Sequence, residues 1–176
     1  DVYKRQVCVK AIELGPHGQR SKLDYTSQPI AYALSTQGGD HTSIVSLPLT
    51  VQDANVWAMD SGMFCWFTAP PLDKKIAFIN AVTGFDITVD EWVDVMVKRF
   101  INLQRSTLLL GGPDFQWTGS DDTLPIRFTE EPLPSGPKKG EKVDMEEFSD
   151  EKSKYYETVG WDENGVPKSD ILKQLG

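Results

Sequence analysis

Three observations predict a mostly α-helical fold: apolar residues recur at helical spacing over several stretches, capping signals precede most of them, and a single short segment alternates as a strand would. The 176 residues carry 26 acidic and 18 basic side chains, a net charge of −8, with 39% apolar and 10% aromatic residues, which is the composition of an ordinary folded protein and not of a disordered one. Residues 56–72, the most apolar stretch, are interrupted by Asp60 and by Pro70 and Pro71, so no membrane-spanning helix is expected. The acidic balance argues against nucleic acid as a partner, since displacing counterions needs basic patches. Cys8 and Cys65 stand alone, too few for a disulfide scaffold and suited to a reducing compartment, the cytoplasm. The chain begins at Asp1 without an initiator Met or a secretory core and reads as part of something longer, a processed mature protein being the alternative.

Residues 7–14 alternate well enough for a short strand, closed by the turn Gly15-Pro16-His17-Gly18. Ile30, Ala33 and Leu34 suggest a short helix within 27–37, with Pro29 tolerated in its first turn. A second helix opens at Thr50 and places Ala54, Trp57 and Ala58 on one face as it runs into Asp60-Ser61-Gly62-Met63-Phe64-Cys65. Asp73 caps a third helix, closed by Gly84. Thr88 and Glu91 form a capping box before Trp92, Met96, Phe100 and Leu103, and Asp94 can pair with Lys98 at i,i+4. Gly111-Gly112-Pro113 ends that helix.

After Ser120 the character changes: residues 121–176 hold 14 acids and 8 bases, so most of the net charge lies there. The expected division is therefore 1–120, a helical part, and 121–176, an acidic wrapping segment of the same domain. Within the second part, 131–142 is a loop, 145–159 a helix, 160–167 a turn and 169–175 a last short helix.

By spacing, few residues carry chemistry. There is no glycine-rich phosphate loop, no H-E-x-x-H and no C-x-x-C. His41, beside Asp40 in a glycine-rich turn, could give or take a proton near neutral pH, or could be a locally hydrogen-bonded surface residue. Cys65 between Phe64 and Trp66 could be a buried structural thiol. Trp57, Trp66, Trp92 and Met96 read as core.

Several segments in order resemble the tungstopterin aldehyde:ferredoxin oxidoreductase family. Residues 31–41, AYALSTQGGDH, are similar to its Y-A-T-S-x-R-G-A-x-H, and residues 60–65, DSGMFC, to its pterin-binding D-x-x-G-L-C. Residues 81–88, AVTGFDIT, resemble A-x-T-G-x-D-x-T; residues 121–125 and 130–134 match D-D-T-L-P and E-E-P-L-P. Tyr155-Tyr156 and 160–167, GWDENGVP, match the family's tail. Against the family pattern, Met63 stands where the family has Gly, Gly62 comes one place earlier, and Phe64 replaces Leu.

The resemblance implies the multihelical C-terminal domain of such an enzyme. It implies that Cys65 is the fourth thiolate of a 4Fe-4S cluster, that Asp60 accepts hydrogen bonds from a pterin of a bis-pterin tungsten cofactor, and that His41 stands near the tungsten as a catalytic proton donor or acceptor. The implied reaction oxidises a small aldehyde to the carboxylic acid and passes electrons to ferredoxin. With two cysteines in all, the chain needs the protein's missing N-terminal domains to complete either cofactor site. Two other readings remain: a helical interaction module that lost the cofactors, or a related tungsten enzyme acting on another oxo acid or an aromatic thioester.

Overall fold

A computed structural model describes residues 8–10, 12–13, 29–35, 51–65, 67, 70–112, 116–136 and 138–176. His41, the turns at 15–18 and 38–42, Trp66 and the Thr50 cap lie outside them. The described residues are mostly helical, as the periodicity predicts.

The alternating segment near the start is two short strands rather than one. β1 (Cys8–Val9) pairs antiparallel with β2 (Ile12–Glu13), Val9 opposite Ile12. The reversal turns at Lys10, whose φ of 47° is the left-handed value that a two-residue hairpin requires. Helix α1 (Pro29–Leu34) begins on its proline, which loses no helical hydrogen bond there.

Helices α2 (Val51–Gly62) and α3 (Leu72–Thr83) pack against each other. Asp73 lies inside α3 and not at its cap: Pro71 occupies the N-cap without a side-chain hydrogen bond. Gly84 closes α3 at φ 77°, left-handed as expected. The Asn80 side chain then clamps the connection, donating to the Ile87 carbonyl at 2.8 Å and accepting from the Ile87 N–H at 3.1 Å.

The next helical run starts with the expected capping box. The Thr88 hydroxyl accepts from the Glu91 N–H at 3.1 Å while the Glu91 carboxylate accepts from the Thr88 N–H at 2.9 Å. After α4 (Val89–Glu91), residues Trp92–Met96 form a π-helical turn before α5 (Val97–Leu110). That wider turn displaces side chains from the i,i+4 alignment, and Asp94 and Lys98 make no ion pair among the described residues. The π turn points Trp92 inward, where its indole N–H donates to the Ala54 carbonyl at 2.9 Å and its ring meets Phe100 edge-on.

A 3₁₀ turn (Gly119–Asp121) and the short helix α6 (Ile126–Glu130) give no periodic signal long enough to detect. Helix α7 (Met145–Val159) is capped by Asp144, whose carboxylate accepts from the Glu146 and Glu147 N–H groups, and is closed by Gly160 at φ 83°. The 160–167 turn is pinned by the Trp161–Pro167 bridge and leads into α8 (Ser169–Leu175).

One apolar core collects residues from both sides of position 120: Trp92, Val97 and Ile101 pack with Leu124, Phe148, Tyr155, Val159 and Trp161. No helix of the described residues is long and apolar enough to cross a membrane.

Candidate functional site

The α2–α3 corner carries two of the three expected site residues. Asp60 sits exposed in the last turn of α2, and Cys65 is exposed five residues later in the connecting loop. His41 lies outside the described residues.

The local backbone explains why this sequence departs from D-x-x-G-L-C. The Phe64 N–H donates to the Met59 carbonyl at 2.9 Å and the Met63 N–H to the Asp60 carbonyl at 3.4 Å, which is the paired bonding of a Schellman C-cap. That cap needs a left-handed residue at position 63, and Met63 supplies it at φ 54°. A residue with a side chain thus takes a conformation that glycine adopts freely, at a steric cost of roughly 1–2 kcal/mol.

Gly62 serves a different purpose. A Cβ at that position would meet the Phe64 ring at 2.3 Å, so its missing side chain is the space into which the larger aromatic ring folds. Phe64 then meets Phe78 of α3 edge-on, with centroids 6.1 Å apart. Gly62 and Phe64 are thus fitted to each other within the turn that leads to Cys65.

Behind the corner, Lys75 is almost fully buried on the first turn of α3, where its ammonium donates to the Asn55 side-chain oxygen at 2.5 Å. Burial lowers its pKa.

A second polar cluster escaped the sequence reading because its members are far apart along the chain. Asp122 is completely buried, and its carboxylate receives both terminal nitrogens of Arg105 at 2.6 and 2.9 Å, Lys10 at 2.8 Å and the Tyr156 hydroxyl at 2.5 Å. Lys10 also donates to the Ala33 carbonyl, and Arg105 Nε to the Gly165 carbonyl at 2.8 Å. Arg105 lies over the Trp161 ring, whose N–H donates to Asn102 at 3.0 Å. Burial alone would raise the Asp122 pKa, but Lys10 and Arg105 more than offset it and hold the carboxyl below its ordinary value. Burial also lowers the Lys10 pKa, with Asp122 opposing. For Tyr156 both burial and Asp122 push the phenol upward, so it stays a donor. The residues of the D-D-T-L-P and G-W-D-E-N-G-V-P segments therefore meet in a structural clasp. No local signal marks them, because Asp122, followed by Thr123 and Leu124, reads from its neighbours alone as a surface residue.

The donor chemistry at the corner fits the wall of a cofactor site: an exposed thiol suits iron and an exposed carboxylate suits the amino edge of a pterin. Among the described residues there is no group of three or more His, Cys, Asp or Glu placed to hold a metal ion.

The family model described as aldehyde ferredoxin oxidoreductase, domains 2 and 3, matches residues 4–176. An aliphatic sulfonate oxidoreductase, WOR-like subunit, of Pyrococcus furiosus is 47% identical, with the alignment covering all of this chain and 28% of that protein. The tungsten-containing aldehyde ferredoxin oxidoreductase of the same organism is 37% identical over 67% of this chain and 19% of that protein. The Pyrococcus horikoshii protein of the same name is 34% identical over 75% of this chain and 21% of that protein. The chain thus spans under a third of the length of each of these relatives.

Proposed function

The chain belongs to the aldehyde ferredoxin oxidoreductase family, and on that premise we propose that it is the C-terminal part of a tungstopterin and 4Fe-4S oxidoreductase. The reaction is oxidation of an aldehyde by water to the carboxylic acid, releasing two electrons and two protons, with the electrons passed to ferredoxin in the cytoplasm. When bound, the tungsten cofactor supplies the two-electron redox chemistry and the cluster relays electrons singly.

This chain's residues take the supporting roles. Cys65 Sγ, exposed at the corner, is one cluster ligand. The Asp60 carboxylate accepts hydrogen bonds from the pterin and fixes its orientation. His41 holds or releases a proton at an imidazole nitrogen. The other ligands come from the longer polypeptide that the length of the relatives implies. The observation that carries the reading is the corner itself, where Met63 and Gly62 keep the cap turn and leave the Cys65 thiol outside the core.

The experiment is metal analysis and electron paramagnetic resonance of the full-length protein and its Cys65→Ser variant. The expected result is tungsten with about four irons per chain and a reduced-cluster signal, the signal being lost or altered in the variant while the fold persists. An unchanged cluster in Cys65→Ser would overturn the assignment. The second reading concerns the substrate: the 47% identical relative is named for aliphatic sulfonates. Dye reduction by aldehydes against that by aliphatic sulfonates, on the same metal-loaded protein, separates the two.

A further inference from the structure

The outer face of α3 has the wrong chemistry for water. After the polar first turn of Asp73 and Lys74, its exposed positions are Ala77, Phe78, Ala81, Val82 and the single polar Thr83, and Phe85, just past the Gly84 cap, is exposed as well. Phe78 is 58% and Val82 85% exposed, although the opposite side of the helix already buries Leu72 and Ile76. A helix apolar on both sides belongs inside a protein. This face joins the α2–α3 corner through the Phe64–Phe78 ring contact, and the corner adds Met63 and Phe67, each 92% exposed. Asp60, Asp73, Lys74 and Asp86, all exposed, supply polar residues around these apolar ones. An apolar centre with polar neighbours is the anatomy of an interface.

We propose that this face, from Met63 and Phe67 across Phe78, Val82 and Phe85, is a docking surface for the remaining polypeptide of the same protein. Two observations select that occupant over a second copy. The relatives extend far beyond the matched segment, which accounts for 28% of one and 19% of another. The face is also continuous with the loop that carries Cys65, whose single thiolate needs partners from elsewhere in the protein if it is to hold a cluster. Docking over α3 would bring those partners to the thiol. This second argument rests on the functional reading above.

The test uses the full-length polypeptide encoded by the parent gene, with the photo-reactive residue p-benzoylphenylalanine in place of Phe78 or Val82, and in place of the exposed Asp150 on α7 as a control. The expected result is an intramolecular cross-link from positions 78 and 82 to residues outside these 176, with none from 150, located by mass spectrometry. A cross-link between two copies, a cross-link to a different protein, no cross-link, or a parent gene encoding nothing beyond these residues would each overturn the proposal. Iron measured on the same samples keeps the two ideas apart. Cross-linking without iron retires the cofactor reading and leaves the docking surface standing, whereas iron without cross-linking retires the surface alone.

Discussion

Position 63 shows a side chain held where glycine would be free of strain. Met63 holds the left-handed conformation that the Schellman turn demands, so Met63→Gly is expected to stabilise the protein by about 0.5–1 kcal/mol. A urea unfolding midpoint that falls in the variant would contradict this. Asp122 is the opposite case, a buried charge whose partners leave no slack. Asp122→Asn strands Lys10 and Arg105 in the core and is expected to cost about 3–5 kcal/mol. Because the folded pKa lies below the ordinary value of 3.8, this contribution is fully present above that pH and disappears as the pH falls through the folded value. Acid titrations should therefore show the stability gap between the protein and the variant narrowing below about pH 4. Neither effect is legible in the sequence: an Asp reads as a surface residue until Lys10, 112 positions earlier, is placed beside it.

Among the elements, those with capping chemistry were legible. The Thr88–Glu91 box, the Gly84 closure and the 145–159 helix follow from local sequence because each is decided within a few residues. The π turn at Trp92–Met96 was not, since the contact it accompanies, the Trp92 indole donating to the Ala54 carbonyl, joins residues 38 positions apart. At the candidate site spacing alone left Cys65 a buried thiol, and only the resemblance of residues 60–65 to D-x-x-G-L-C pointed to Asp60 and Cys65; the fit of the Phe64 ring over Gly62 is a matter of side-chain packing that no motif records. The 160–167 turn carries a sharper demand. Gly165 sits at φ 72°, and a Cβ there would lie 2.4 Å from Arg105 Nη2 and 2.8 Å from the Tyr156 hydroxyl. Gly165→Ala combines left-handed strain with displacement of the clasp and is expected to destabilise by about 2–4 kcal/mol, read as a lowered thermal midpoint.

At the scale of the whole molecule, the core draws α2, α5 and α7 together, and the clasp joins residues 10, 33, 105, 122, 156 and 165. Thermal and denaturant unfolding of this unit should follow one transition, with tryptophan fluorescence and far-UV circular dichroism superimposing, because no helix of the core can leave without exposing the others. Two separate transitions would divide the chain where the charge distribution changes, at about residue 120. The clasp also sets an order in time. A growing chain displays Arg105 long before it has made the carbonyl of Gly165, and Lys10 waits longer still for Asp122. The helical unit can therefore close only once nearly all of it has been translated, and a nascent chain stalled at residue 150 should remain open to protease.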